Sequence, residues 1–221
     1  MNIAGMPLYE YVYMRCSQIE YVDEVILATS IDKSDDPLSK AASDNGFRVF
    51  RGSLNNVLER YILCAREAGA DVIIRVCGDS PFVDIQRMGQ MLNFLLNKRF
   101  EYVALLKERC LDGLDSEIVT LSALEKSLAL ADHNDDFEHV THFIRRNPKS
   151  FKSKYVNIEL NPFGDAISLT VDTAADLKFC NDVANGLAQD IDVGQFEFIT
   201  EDVFRAISKL IGKGYSAEGK L

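Results

Sequence analysis

The chain has 221 residues, of which 47% are hydrophobic, enough for the core of one large domain. Its 34 acidic and 24 basic side chains give a formal net charge of −10, which argues against nucleic acid or an anionic membrane as a partner. The five cysteines lack CxxC spacing, so the sequence indicates neither a disulfide framework nor a zinc cluster, and a reducing cytoplasm is the expected location. We recognise no targeting segment, and no stretch approaches the ~20 apolar residues of a membrane helix.

The first half of the chain alternates between predicted helices and strands. Apolar periodicity, caps and glycine stops predict helices over about 7–19, 34–45, 53–68 and 84–98, with Ser53 as the N-cap of the third. Short apolar or β-branched runs between them predict strands over 24–30, 47–50 and 71–77. This alternation is typical of a parallel sheet with helices on its faces.

The pattern changes after Tyr102. A polar turn enters a strand over 110–119, and helices follow over 122–131 and 137–146, so we expect an inserted arm over about 108–146. Its apolar content predicts a symmetric homodimer. Strands over 152–159 and 166–173 and helices over 174–185 and 200–210 complete the pattern, within a single domain over 1–221.

Two predicted strands end in an aspartate. Asp79 follows an apolar, β-branched strand that is expected to be covered on both faces, and Gly78 before it leaves room for a ligand. Asp172 ends the strand predicted over 166–173. Ligands of open α/β sheets bind outside the carboxyl ends of the strands, and Mg²⁺ takes one or two protein carboxylates plus substrate phosphates. The two aspartates therefore predict a magnesium site for phosphate chemistry.

Eight stretches follow one another in an order that resembles the cytidylyltransferase family. That family includes acylneuraminate and 3-deoxy-manno-octulosonate cytidylyltransferases, and the resemblance is strongest to homologues named after spore coat polysaccharide synthesis. The stretches are Pro7-Leu8 with Arg15, Val25–Ser30, Arg51–Ser53, Leu58–Tyr61, Arg75–Pro81 with Asp84, Asp112–Glu117, Glu138–Thr141 with Arg145, and Val171–Thr173 with Asp176-Leu177.

The resemblance implies a fold, a reaction and a set of site residues. The fold would be a three-layer α/β/α, Rossmann-like sheet of the nucleotide-diphospho-sugar transferase type, mostly parallel, and the reaction would join CMP from CTP to an acidic or phosphorylated sugar for surface polysaccharide, with release of pyrophosphate. Implied catalytic residues are Asp79, Asp172 and Arg75, the two aspartates holding Mg²⁺. Implied nucleotide-binding residues are Ala28, Thr29, Ser30, Arg51, Ser53, Arg75 and Gly78; implied sugar-binding residues are Asp112, Gly113, Asp115, Glu117, His139 and Arg145.

One departure from the family pattern concerns the first residues. The family normally begins with an apolar strand and a loop rich in Gly and Arg that ends in Gly-Lys-Pro, but here only Gly5-Met6-Pro7 corresponds to it. Without that strand its neighbours would have unpaired backbone groups, and without the loop the main triphosphate cradle would be missing. We therefore expect either that the start has been placed too late or that this copy is catalytically impaired and binds a sugar or a partner.

Simpler explanations exist for several candidates. Asp79 could be a turn carboxylate, Asp172 a helix cap, and Arg75 the partner of a structural acid. For the acids of Asp112–Glu117 the alternative is a solvated hairpin, and for His142 a surface or interface helix. A glycosyltransferase on a similar fold ranks last, since Asp79-Ser80-Pro81 lacks the Asp-x-Asp pattern expected of one.

Overall fold

The computed structural model describes residues 1–164, 167–190 and 196–213, with side chains up to 188 in the second range. The helices are α1 Leu8–Cys16, α2 Asp36–Asp44, α3 Val57–Ala68, α4 Ile85–Lys98, α5 Leu121–Leu130, α6 Asn134–Glu138, α7 His142–Arg146, α8 Ala174–Asp190 and α9 Thr200–Gly212. The strands are β1 Asn2–Ile3, β2 Met6–Pro7, β3 Leu27–Ser30, β4 Val49–Gly52, β5 Val72–Arg75, β6 Tyr102–Leu105, β7 Glu117–Thr120 and β8 Ser153–Val156. No helix in these ranges combines the length and apolar character that a membrane crossing requires.

The strands within the described ranges form three separate groups. β1 and β2 are a small antiparallel hairpin, β3 and β4 pair in parallel, and the remaining four form a sheet in the order β5-β7-β6-β8. β7 runs antiparallel to both of its neighbours, whereas β6 and β8 are parallel. The α/β class is confirmed. The larger sheet, however, is mixed rather than mostly parallel, because β7 lies between β5 and β6 and is antiparallel to both.

Alternating strand residues divide the core into two layers around the larger sheet. From β6, Val103 and Leu105 pack with α1, α4, α8 and α9, whereas Tyr102 and Ala104 pack with α3, α5 and α7. Successive side chains of a strand point to opposite faces, so this alternation places helices on both sides of the sheet. The predicted three-layer arrangement is therefore present.

The predicted arm is part of this architecture. It contributes β7, which lies inside the sheet, before the chain continues into α5, α6 and α7. The single helix predicted over 137–146 was wrong, because α6 ends at Glu138 and α7 begins only at His142. The backbone N–H of His142 donates to the His139 carbonyl at 2.6 Å, a three-residue turn that separates the two helices.

Two further local predictions were wrong. α3 begins at Val57, with Asn56 as its N-cap accepting the Glu59 N–H at 3.0 Å, while Ser53 accepts the Asn56 N–H in the preceding turn. The strand predicted over 166–173 is not a strand among residues 167–173, and Ala166 lies outside the described residues. Residues 167–172 instead join two loops by single backbone hydrogen bonds, so no ladder forms.

Arg15 of α1 ties the beginning of the chain to its end. Its side chain is fully buried, donates to the carbonyls of Val83 and Phe196, and lies over the ring of Phe198 at 3.7 Å. Burial lowers the pKa of Arg15 to about 10, with Tyr11 opposing that shift. The segment at Phe196–Phe198 is thereby fixed against α1.

Candidate functional site

The structure brings the two predicted metal-binding residues to one place in the fold. The Val171 N–H donates to the Asp79 carbonyl at 2.9 Å, so Asp172, the next residue, lies beside the loop that follows β5. Asp79 is half-buried and Asp172 is exposed. Two acids that are distant in sequence are therefore neighbours in the backbone.

Within the described part of the chain, no cation neutralises either carboxylate. Asp79 Oδ1 accepts the Ser80 hydroxyl and Asp172 Oδ2 accepts the Thr170 hydroxyl, both at 3.0 Å. Among the described residues, neither aspartate forms an ion pair. Two accessible carboxylates without a cationic partner suit a hard divalent cation.

The capping explanation for Asp172 does not hold. The first turn of α8 is closed by Thr173 and Asp176: Asp176 Oδ2 accepts the Thr173 N–H at 2.7 Å, and the Thr173 hydroxyl accepts the Asp176 N–H at 3.3 Å. Asp172 contributes only its backbone N–H to this arrangement, at 3.3 Å from Asp176 Oδ2. Its carboxylate is therefore available for another role.

The donor set would fit Mg²⁺ only as a site completed by substrate. In the parts of the chain that are described, no group of three or more His, Cys, Asp or Glu side chains is placed to hold a metal ion. Magnesium commonly uses one or two protein carboxylates and takes its other ligands from water and substrate phosphates. Asp79 and Asp172 would supply those carboxylates, with substrate completing the site.

Asp112 and Gly113 hold the segment that carries Asp172. The Asp112 carbonyl accepts the Leu169 N–H at 2.8 Å, and its carboxylate accepts the Ser168 hydroxyl at 3.3 Å. Gly113 has φ +92°, and a Cβ there would lie 2.6 Å from the Leu169 carbonyl carbon. Only glycine allows this approach, so both residues position Asp172. Asp115 is half-buried nearby, and burial, together with Asp112, raises the pKa of its carboxyl.

Glu117 is the centre of a buried polar cluster. Its carboxylate accepts hydrogen bonds from Tyr102 and Thr141, both at 2.6 Å, and from Arg75 at 3.0 Å, while Arg145 lies 3.8 Å away. Burial opposes ionisation, but Arg75 and the two hydroxyl donors outweigh it and lower the pKa of Glu117. Because Glu117 is buried, the solvated-hairpin alternative is wrong for this residue. Glu117 is also the structural acid with which Arg75 pairs.

A second polar cluster joins the ends of β3 and β4. One oxygen of Asp35 accepts the hydroxyls of Thr29 and Ser30 and the Ser30 N–H, and these hydrogen bonds lower the pKa of Asp35. Arg51 donates to the Ser30 carbonyl at 2.8 Å and pairs with Asp36 at 2.7 Å. Thr29, Ser30 and Arg51 thus lie together, held by an acid that the sequence did not single out.

Four predicted nucleotide-binding residues line one large cavity, which we call the central groove. It has a volume of about 930 Å³ and lies between α1, β3, α3, β5 and α4. The four are Ala28, Thr29, Arg75 and Gly78. Gly78 is exposed, and a Cβ there would meet nothing within 4 Å, so steric crowding does not require glycine at this position.

The remaining predicted residues lie elsewhere. Ser53 lines a different cavity of about 760 Å³, together with Asn134 and Glu138. His139 is exposed in the turn between α6 and α7, and the Arg145 side chain is 40% exposed above Glu117. The structure therefore brings together the groove residues and, separately, the two aspartates, whereas Ser53 and His139 stand apart from both.

Comparisons with known proteins agree with this architecture. A cytidylyltransferase from Leptospira borgpetersenii superposes with a TM-score of 0.83 at 25% identity, over 96% of this chain and 87% of that one. A CMP:2-keto-3-deoxy-manno-octonic acid synthetase, solved with CTP, gives a TM-score of 0.63 at 15% identity over 86% of this chain and 91% of its own, which shows the fold alone. The fold is thus that of the Rossmann-like nucleotidyltransferases.

The sequence comparisons narrow this class to one family. The family model for cytidylyltransferases matches residues 1–201. An uncharacterised protein of Methanocaldococcus jannaschii is 34% identical over 178 residues, 80% of this chain and 72% of its own. The spore coat polysaccharide biosynthesis protein SpsF of Bacillus subtilis is 30% identical over 80% of this chain and 74% of its own. The chain belongs to the cytidylyltransferase family.

Proposed function

We propose that the protein is a cytoplasmic, Mg²⁺-dependent enzyme that transfers CMP from CTP to an acidic or phosphorylated sugar for surface polysaccharide. The proposal rests on the hydrogen bond between Val171 and Asp79, which brings the backbone of Asp172 next to Asp79 in a chain of this family. Two relatives of 32% and 33% identity, over about half or less of this chain, are 3-deoxy-manno-octulosonate cytidylyltransferases, which supports a sugar acid as acceptor.

The reaction is an in-line displacement without a covalent enzyme intermediate. A sugar oxygen attacks the α-phosphorus of CTP and loses its proton to solvent, while the bond from that phosphorus to the pyrophosphate oxygen breaks. Mg²⁺, held by Asp79 and Asp172, would neutralise charge on the phosphate oxygens. Arg75 lines the groove with its guanidinium held by Glu117, so a positive charge is already oriented there before substrate binds.

A panel of substrates tests this proposal. Pyrophosphate release would be measured with CTP, UTP, ATP or GTP, each with 3-deoxy-manno-octulosonate, N-acetylneuraminate or a neutral sugar, in Mg²⁺ and in EDTA. We expect release only with CTP, an acidic sugar and Mg²⁺. Equal pyrophosphate release in EDTA would contradict the requirement for Mg²⁺. Faster release with another triphosphate would contradict CTP as the nucleotide substrate.

A second candidate is a catalytically silent homologue that binds a sugar or a partner. The open central groove favours it, since the predicted nucleotide-binding residues Ala28 and Thr29 are separated there from Arg75 and Gly78 by empty space. Calorimetric binding of a sugar acid without pyrophosphate release from any triphosphate would support this candidate over the first.

We also propose that residues 108–146 contribute to a homodimer interface. Leu130, at the end of α5, is 52% exposed, which leaves apolar surface on this part of the chain. Sedimentation at micromolar concentration should give the mass of a dimer, and Leu130→Lys should weaken it; a monomer mass for the unaltered protein would contradict the proposal.

A further inference from the structure

The two oxygens of the buried Glu117 carboxylate have different partners. Oε1 accepts the hydroxyls of Tyr102 and Thr141, both at 2.6 Å, and Arg145 lies 3.8 Å from it. Oε2 accepts Arg75 Nη1 at 3.0 Å. Because the two oxygens turn together, hydroxyl donors placed at Oε1 also fix the direction in which Oε2 points. The hydroxyls of Tyr102 and Thr141 therefore set how Glu117 holds the guanidinium of Arg75.

Thr141 is the hydroxyl donor that comes from outside the sheet. Arg75 lies opposite Glu117 in the β5–β7 ladder, and Tyr102 belongs to β6, which also pairs with β7. Thr141 instead lies at the start of α7, in the helical layer, and its side chain is buried. Its contact with Glu117 thus connects that layer to a strand residue that lines the central groove.

The Thr141 hydroxyl is not used to cap its helix. A threonine at an N-cap ordinarily accepts a backbone N–H of the first helical turn, as Thr120 does for α5 with the Ala123 N–H at 3.2 Å. Thr141 is the N-cap of α7 but makes no such bond, and its hydroxyl donates to Glu117 instead. This threonine therefore serves the buried acid in place of the end of its own helix.

Arg75 keeps hydrogen-bond donors for a ligand. A guanidinium carries five N–H groups, and within the described part of the chain only Nη1 of Arg75 has an acceptor. The side chain is 23% exposed and lines the central groove. Because an anion in the groove would meet these donors in a fixed direction, a small rotation of Glu117 would change how Arg75 presents them.

We propose that Thr141 is a positioning residue, which acts through Glu117 to set the direction of Arg75 in the central groove. The inference rests on the function proposed above, in which the oriented charge of Arg75 serves the reaction of CTP. Thr141→Val keeps the shape of the side chain and removes the hydroxyl, so Glu117 keeps its charge but loses one of the two donors that direct it.

The first readout is the kinetics of pyrophosphate release. An oriented charge contributes most where charge develops in the transition state, so we expect Thr141→Val to lower kcat about tenfold and to leave the KM values for CTP and the sugar within about twofold. Thr141→Ser retains the hydroxyl and should restore most of the lost kcat. A purely structural role would not distinguish the serine variant from the valine variant in this way.

The chain contains a matched control. The Thr200 hydroxyl donates at 2.6 Å to buried Asp84, and Asp84 pairs with Arg87 at 2.9 Å. Arg87 is 21% exposed, close to the 23% of Arg75, and none of these three control residues lines the central groove. Thr200→Val should therefore lower stability in urea titrations to a similar extent as Thr141→Val, but it should leave kcat unchanged.

A second readout does not depend on catalysis. Phenylglyoxal modifies accessible arginines, and mass spectrometry measures the rate at each one. Thr141→Val should speed modification of Arg75 about threefold and leave Arg87 unchanged, whereas Thr200→Val should do the reverse. If the unaltered protein releases no pyrophosphate, the proposed function fails, and these rates alone decide whether Thr141 positions Arg75.

Three results would overturn the inference. An equal loss of kcat in Thr141→Val and Thr200→Val would assign the effect to stability. A kcat of Thr141→Ser as low as that of Thr141→Val would show that the hydroxyl is not responsible. Unchanged modification of Arg75 in Thr141→Val would show that Glu117 keeps its direction without this donor.

Discussion

Glu117 and Asp79 are two acids of the same region with opposite surroundings. Glu117 is buried and takes hydrogen bonds from Tyr102, Thr141 and Arg75, so the chain satisfies its charge completely. Asp79 receives one hydroxyl, from Ser80, and pairs with no cation among the described residues. An acid that the protein has already neutralised organises its neighbours, whereas one that it leaves uncompensated is available to a ligand.

The sharpest test of this difference is Asp79→Asn. Because it removes a proposed ligand of Mg²⁺ and no internal ion pair, we expect pyrophosphate release to fall about 1,000-fold, ~4 kcal/mol in the barrier. Stability should change by no more than about 0.5 kcal/mol. Asp71→Asn, at the other end of β5, is the matched control and should retain full activity. Unchanged activity of Asp79→Asn would remove this residue from the mechanism.

Glu117→Gln, unlike Asp79→Asn, should mainly reduce the stability of the fold. It leaves Arg75 without its buried counter-charge, so we expect the free energy of unfolding to fall by about 3 kcal/mol in urea titrations. Glu125→Gln breaks an exposed pair with Arg66 and should cost no more than about 1 kcal/mol. If the two variants unfold at the same urea concentration, the cluster does not stabilise the fold as argued.

Gly113→Ala tests how Asp172 is held. The new Cβ would collide with the Leu169 backbone at a position of positive φ, so we expect a loss of about 2 kcal/mol and a matching loss of activity as residues 167–172 move. Gly46 has a similar φ of +78°, but a Cβ there would meet no atom within 4 Å. Gly46→Ala therefore measures the cost of the positive φ without a collision. Equal effects of the two changes would show that the close approach is unimportant.

A smaller effect is expected for Asp136, a second satisfied acid. Hydrogen bonds from Arg146, together with His142, lower the pKa of Asp136 despite its burial. Since the folded pKa lies below the unfolded value of about 3.9, the stabilisation is present above pH 4 and is lost as pH falls further. Asp136→Asn should therefore reduce stability by about 1–2 kcal/mol at pH 7 and progressively less below pH 4. Exposed Asp135→Asn is the control, and a difference independent of pH would contradict this account.

Local signals predicted much of the fold. Asp84 caps α4, whose observed end at Lys98 is the predicted one, and α8 begins at Ala174 as expected. The caps and apolar spacing that define these helices lie within a few residues of each other, so the sequence is sufficient. β6 was missed, although its four consecutive residues Tyr102–Leu105 are all buried, because no turn residues mark its limits.

Non-local partners account for the rest. The alternation over 166–173 resembles a strand, yet a strand requires a neighbour, and residues 167–172 meet only loop carbonyls. The family resemblance grouped Glu117 with Asp112 and Asp115, but its burial depends on Tyr102 and Thr141, which come from other elements. The neighbourhood of Asp79 and Asp172 was predicted by the rule for strand ends, even though only Asp79 follows a described strand.

The buried guanidinium of Arg15 has a consequence for synthesis. Its partner carbonyl at Phe196 is 181 residues further along the chain, so this charge remains without that acceptor until residue 196 has been made. Contacts of such sequence separation slow folding, and domains emerge from the ribosome N-terminal part first. The nascent chain therefore cannot bury α1 in the native manner until the segment at Phe196–Phe198 has left the ribosome.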